Sequence, residues 1–147
     1  MDLSLQIAQV DTTLGDLERN AGAHEVEVRA AIEAGAQMIV FPELSLTGYF
    51  LKDLVPELAL ATDAAILRPF VELSRSITIA LGMVERSSDG RLFNSMVVFE
   101  DGRLAHVHRK VHLVSYGMFE ESRDFAAGEA FQPFESKHGK LGFLLCE

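Results

Sequence analysis

Residues 3–10 alternate apolar Leu3, Leu5 and Ile7 with Ser4, Gln6 and Ala8, the two-residue period of a strand with one face toward a core. After a turn through Thr12 and Gly15 the period changes. Leu14, Leu17, Ala21, Val28, Ala31 and Ile32 recur at helical spacing, Glu18, Arg19, Glu25, Glu27 and Arg29 populate the other side, and Asp16 stands where its carboxylate caps the first turn. His24 falls on the apolar stripe and reads as a core-edge histidine satisfied by a hydrogen bond. Gly35 stops this helix, and residues 37–41 form a short buried strand ended by Pro42. Two strands joined by a helix pair in parallel through a crossover, and such sheets open their crevices at the carboxyl ends of the strands. Glu43 stands at that position.

Further along, an irregular segment through Asp53 and Pro56 leads to two predicted helical stretches, 58–67 and 70–76, divided by Pro69. Strands follow at 77–84 and 92–100, and the Asp101-Gly102 turn sends the chain from Leu104 into an antiparallel partner that ends at Arg109-Lys110. Residues 114–134 are irregular and carry Phe119, Phe125, Phe131 and Phe134; long aromatic loops of this kind line sites or lids. Residues 131–135 read as a strand, Lys137-His138-Gly139-Lys140 as a turn, and the final apolar run of Gly139-Lys140-Leu141-Gly142-Phe143-Leu144-Leu145-Cys146-Glu147 as a buried strand after it. With no internal repeat or linker, the pattern describes one α/β domain.

Composition narrows the class. A chain of 147 residues with 48% apolar side chains has enough for one core. Its apolar runs are far shorter than the roughly 20 residues that span a bilayer, and Met1-Asp2-Leu3 opens into a strand pattern without a basic leader, so neither membrane insertion nor targeting is expected and the cytoplasm is the expected location. A formal charge of −9, with acids and bases intermixed, argues against nucleic acid as a partner. The single cysteine excludes an internal disulfide and cysteine-rich zinc modules.

That cysteine has two readings. After Phe143, Leu144 and Leu145, Cys146 is either a small buried hydrophobe or a nucleophile at the end of a strand, and the second needs a base and an oxyanion stabiliser from elsewhere. Glu43 is either a solvated or capping acid or a carboxylate held for use, because an acid beside a buried strand is costly to desolvate unless paired. Lys110 belongs either to a solvated charge pair on an edge strand or beside an anion it stabilises. His106, His108 and His112 have the spacing of one strand face, but no further ligand accompanies them, so they read as surface histidines rather than a zinc site. Glu43, Lys110 and Cys146 each end a predicted strand. One sheet therefore brings a base, a cation and a thiol to one crevice.

In that order the three residues resemble the Glu-Lys-Cys pattern of the nitrilase superfamily of carbon–nitrogen hydrolases. Phe41-Pro42-Glu43-Leu44-Ser45-Leu46-Thr47-Gly48-Tyr49 is similar to the family's glutamate motif, Arg109-Lys110-Val111-His112-Leu113 to its lysine motif, and Leu144-Leu145-Cys146-Glu147 to the start of its cysteine motif. Lys52-Asp53-Leu54 and Tyr116-Gly117-Met118-Phe119-Glu120-Glu121-Ser122-Arg123-Asp124-Phe125 are similar to the glutaminase domains of glutamine-dependent NAD synthetases and to related amidohydrolases. The resemblance implies an α/β fold, the N-terminal portion of a four-layer αββα sandwich cut after the nucleophile strand. It implies hydrolysis of a small amide through a cysteine thioester, with Glu43 as base, Lys110 and the backbone N–H of Glu147 at the oxyanion, and Glu121 as a positioning acid. Tyr49, Tyr116 and Phe119 are candidate pocket residues, and no metal or organic cofactor is implied. Because the family's domain continues well past its cysteine, the resemblance leaves three accounts of the chain, a truncation, a second chain that supplies the rest, or a natural fragment, of which truncation is expected; a homo-oligomer is the other expected assembly. An interaction module without turnover is the reading from another class.

Overall fold

The computed structural model describes residues 2–117 and 119–145. Five strands form a mixed sheet in the order β1 (Leu5–Ile7), β2 (Met38–Val40), β3 (Thr78–Arg86), β4 (Leu92–Glu100) and β5 (Arg103–Arg109). The first three run parallel, and β3, β4 and β5 form an antiparallel meander. The crossover from β1 to β2 is α1 (Leu17–Glu33), as the apolar spacing predicts. Asp16 Oδ1 accepts from the Arg19 N–H at 3.1 Å at its start, and Gly35 at φ +76° follows its end in the left-handed region that glycine enters without penalty.

The two faces of the sheet are covered differently. On one, Ala21, Val28 and Ala31 of α1 and Phe70 of α3 (Arg68–Leu73) pack on Ile39, Phe41, Ile79, Leu81, Val97 and Phe99. His24 is part of this layer. It is fully buried, stacked on Phe41 at 4.1 Å, with Nδ1 2.7 Å from Asn20 O and Nε2 2.8 Å from Ser45 Oγ, so it lies deeper than the core edge. On the opposite face, Met38, Ala80, Met96 and Val98 lie under a hairpin of β6 (Phe134–Ser136) and β7 (Gly139–Leu141), through Phe134, Leu141, Phe143 and Leu145.

Four expectations change. Strand β1 is shorter than 3–10, and its apolar residues are exposed (Leu5 48%, Ile7 77%) while Ala8 is buried. The register pairs Leu5 with Met38 and Ile7 with Val40, which sets them on the hairpin face at the sheet border, whereas Ala8 faces the helices. The predicted helix at 58–67 does not form. A single turn, α2 (Val55–Leu58), gives way to extended chain at Leu60, whose N–H donates to Val84 O at 2.9 Å and whose carbonyl accepts from Arg86 N at 2.8 Å. Pairing beside β3, beyond the last residue of β2, outweighs local helical preference there. Pro69 starts α3 rather than dividing two helices, since a first-turn residue has no intrahelical N–H to lose. Finally, residues 142–145 are not a strand: Leu145 is buried on the sheet, but Leu144 is 80% exposed. Cys146, Glu147 and Met118 lie outside the described residues.

Candidate active site

The carboxyl ends of β2 and β5 bring Glu43 and Lys110 together. Glu43 sits in the turn after β2, and that turn lies directly on β3 at Gly82. A Cβ at position 82 would come within 2.4 Å of both Pro42 O and Leu44 N, so only glycine lets the turn approach this closely. Leu46 N donates to Gly82 O at 3.0 Å, and Ser45 Oγ, itself held by His24, accepts from Gly82 N at 3.3 Å. Leu44 has φ +49° and is fully buried, a conformation that an L-residue keeps only where its surroundings impose it. On the other arm, Lys110 N donates to Asn94 O at 2.8 Å and Gly128 N donates to Lys110 O at 2.7 Å. Gly128 is required there as well, because a Cβ would meet Arg109 O at 2.4 Å.

Lys110 is 2% exposed, and its Nζ donates to Glu43 Oε1 at 2.8 Å and to Glu121 Oε1 at 2.9 Å. The reading of Lys110 as a solvated edge charge is therefore set aside. Burial by itself disfavours the ammonium, but the hydrogen bonds to Glu43 and Glu121 and their charges outweigh it, so the Lys110 pKa lies above the ordinary lysine value and the group stays charged. Asn94 Nδ2 also donates to Glu43 Oε1, at 2.6 Å. Glu121, at the start of α4 (Glu121–Asp124), is fixed by the Val114 N–H on Oε2 at 2.8 Å and by the Tyr49 hydroxyl on Oε1. One cation thus faces two carboxylates.

A cavity of about 360 Å³ opens at this cluster, lined by Glu43, Tyr49, Phe50, Lys110, Val114, Tyr116 and Phe119. The Phe119 ring lies 5.9 Å from Tyr49, 6.2 Å from Phe50 and 6.4 Å from Tyr116. The three expected pocket residues, Tyr49, Tyr116 and Phe119, are all in this wall. A larger open cleft of about 770 Å³ beside Asp63, Glu85 and His108 contains none of the Glu43, Lys110 and Glu121 groups.

Of the three histidines, His112 is exposed as expected, whereas His108 is buried and His106 half-buried. His106 stacks on Phe134 at 4.6 Å and His108, 2% exposed, on Phe131 at 5.9 Å; the Nε2 atoms of both are buried and unpaired among the described residues. Burial lowers both pKa values, and for His108 the neighbouring His106 lowers it further. Among the described residues no group of three His, Cys, Asp or Glu side chains is placed to hold a metal ion, and no helix is long and apolar enough to cross a membrane.

Reasoning from sequence missed Asn94, Gly82 and Gly128. An isolated glycine inside the apolar run of β3 was a usable signal for close backbone approach. Asn94 gave none, being one of two adjacent polar residues, with Ser95, in a strand otherwise apolar up to Glu100.

The family model for carbon-nitrogen hydrolase matches residues 4–147. The chain belongs to the carbon–nitrogen hydrolase family. It is 34% identical over 148 residues to the glutamine-dependent NAD(+) synthetase of Thermotoga maritima, covering 99% of this chain and 25% of that protein. It spans about a quarter of the length of the curated relatives of this kind that it matches. Among solved structures, the glutamine-dependent NAD+ synthetase of Acinetobacter baumannii superposes with a TM-score of 0.82 at 32% identity, covering 97% of this chain and 27% of that one. Saccharomyces cerevisiae Nit3, a member of the nitrilase superfamily, superposes with a TM-score of 0.82 at 22% identity, covering 98% and 55%. The fold is therefore the N-terminal portion of the nitrilase fold, and the helix, sheet and hairpin layers are its described parts.

Proposed function

We propose that the protein hydrolyses a non-peptide carbon–nitrogen bond of a small amide, with Glu43, Lys110 and Cys146 as the catalytic residues. The observation that carries this reading is Lys110 held between Glu43 and Glu121 at the mouth of an aromatic-lined cavity. Among the described residues both side-chain hydrogen bonds to Glu43 fall on Oε1, and Oε2 takes the thiol proton. The Cys146 sulfur attacks the amide carbonyl, and the carbonyl electrons pass to oxygen. The charged Lys110 ammonium and the Glu147 N–H stabilise that oxyanion. Collapse expels the amine, which takes the proton from Glu43 and leaves a thioester. Water then gives a proton to Glu43, attacks the thioester and releases the acid and the thiol. Glu121 positions the lysine and accepts no proton in these steps. No metal or organic cofactor enters the scheme. Replacing Cys146 with alanine abolishes turnover in the full protein; retained amide hydrolysis contradicts the assignment.

A second reading rests on the 34% and 32% identities to glutamine-dependent NAD synthetases: the amide is glutamine, and the ammonia passes to a synthetase unit. Glutamine-dependent NAD formation by the full protein, lost in the Cys146→Ala variant but restored by added ammonia, is the expected outcome on that reading. Amide hydrolysis with no such synthesis favours a stand-alone amidase.

A further inference from the structure

The apolar face that carries the Glu43–Lys110 cluster has a second buried polar cluster at its opposite end. Glu100, the last residue of β4, is 2% exposed. Its Oε2 accepts from Thr78 Oγ1 at 3.0 Å and Ser136 Oγ at 2.6 Å, and its Oε1 accepts from the Lys137 N–H at 3.2 Å. Thr78, the first residue of β3, is fully buried and also lies 2.9 Å from His138 Nε2. The single Thr78 hydroxyl proton goes to Glu100, so His138 Nε2 donates to Thr78. Lys137 Nζ adds an ion pair to Asp101 at 2.9 Å. Apart from Thr78, these donors come from Ser136, the last residue of β6, and from Lys137 and His138 in the turn that follows it. Burial on its own would raise the Glu100 pKa, but the bonds from Ser136, the Lys137 N–H and Thr78 outweigh it and hold the carboxyl below its ordinary value.

This cluster ties down one end of a short length of chain. From Gly139, at the clamped turn, the seven residues to Leu145 span at most about 25 Å when extended. Along the way, Leu141, Phe143 and Leu145 pack on Met38, Ala80, Met96 and Val98, in the middle of the same face. Phe134 in β6 stacks on Phe143 at 6.2 Å and on His106 at 4.6 Å, which fixes the hairpin laterally. Among the described residues, 142–145 have no strand partner, and the turn at one end and apolar contact in the middle hold them there. The next residue in the chain is Cys146.

We propose that Glu100 is a positioning residue for the nucleophile: by clamping the β6–β7 turn through Ser136, Lys137 and Thr78 it sets the path of the segment that leads into Cys146. The inference rests on Cys146 being the nucleophile. Glu100 touches no reacting group; its effect passes through the hairpin, and a misplacement of about 1 Å at a nucleophile is enough to cost up to about a hundredfold in rate.

The test uses the full protein and three single variants, Glu100→Gln, Thr78→Val and Ser136→Ala, the last two each removing one hydrogen bond from the clamp. The readouts are kcat, KM for an amide substrate, and Tm, with kinetics run well below each Tm. Glu100→Gln is expected to lower kcat about tenfold and each hydroxyl variant about threefold, with KM within twofold of the parent. A clamp of purely structural effect moves Tm and leaves kcat per folded molecule unchanged. Unchanged kcat in both Thr78→Val and Ser136→Ala, which remain informative even if Glu100→Gln fails to fold, overturns the inference and leaves the nucleophile assignment standing. Undiminished turnover by Cys146→Ala overturns the assignment and the inference with it.

Discussion

Arg109 and Lys110 are neighbours in sequence and make ion pairs on opposite faces of the sheet, yet the two pairs are built to different ends. Arg109 meets one carboxylate, Glu85, with Nε at 2.9 Å from Oε2 and Nη2 at 2.6 Å from Oε1. Ser95 Oγ adds a bond to Glu85 at 2.6 Å, and the guanidinium lies over the Phe93 ring at 3.9 Å from its centroid. Charge is balanced one to one and the fork of the arginine matches the carboxylate, which is the arrangement of a structural pair. Lys110 meets two carboxylates, so its cluster carries one excess negative charge, and Glu43 keeps 17% of its side chain exposed at the cavity. A point charge between two acids leaves room for a proton to arrive and depart. The pairs differ in stoichiometry and in which partner reaches solvent: the cation Arg109, 34% exposed, in one, and the carboxylate Glu43 in the other.

Breaking the two pairs separately gives the largest expected contrast. Lys110→Met lowers kcat/KM by about 10³-fold, the upper end of what loss of an oxyanion donor costs. Arg109→Met leaves kcat per folded molecule within about threefold of the parent and lowers unfolding free energy by about 3 kcal/mol, because Glu85 is left buried without its cation. Activity assays beside denaturant titrations check both. Equal kinetic effects of the two substitutions dissolve the contrast.

Support beneath Glu43 comes next. Gly82→Ala forces the 42–44 turn off β3, and kcat is expected to fall about a hundredfold with the displaced base. By comparison Gly22→Ala in α1, where an added Cβ meets nothing within 4 Å, leaves kcat unchanged and raises stability by about 0.5–1 kcal/mol.

The last effect concerns pH and touches stability rather than rate. His24, which steadies Ser45 in that turn, has its pKa lowered from 6.5 to about 4 by burial, partly offset by its bond to the Asn20 carbonyl. The folded state therefore binds its proton more weakly than the unfolded chain. The stability this neutral histidine contributes is full above pH 6.5 and is lost progressively as pH falls toward 4, by about 3 kcal/mol for a shift of that size. Unfolding measured at pH 7.5 and pH 5 in the parent and in His24→Gln is expected to show a shallower pH dependence in the variant.

How much of this was legible in the sequence follows from the range over which each residue's role is decided. Helical spacing located α1, and apolar runs bounded by turn residues located β2 and the meander, because both are local patterns; at β1 the two-residue period found the strand but assigned its buried face wrongly. Leu60 was misread because its partner, Val84, is distant in sequence and the pairing overrides local preference. Residues 142–145 look like a strand from composition alone, yet they pack on the sheet without pairing. Motif and strand end pointed to Glu43 and Lys110 and a loop motif to Glu121, and the structure brings these three side chains into one cluster. What was hidden was their support: the Asn94 hydrogen bond and the close approach at Gly82 exist only once β3 and β4 lie beside the turn. The Arg109–Glu85 pair was hidden for the same reason, since nothing local distinguishes it from a solvated charge.

The central claim is that Glu43 and Lys110 form an activating site for Cys146, and the most direct measurement is the rate of alkylation of Cys146 by iodoacetamide as a function of pH in the full protein. An activated thiol reacts near pH 7 much faster than an ordinary cysteine, whose pKa is about 8.5, and Glu43→Gln and Lys110→Met each bring the profile back toward that of a free thiol. A parent profile matching an unperturbed or buried thiol, unchanged by either substitution, contradicts the account.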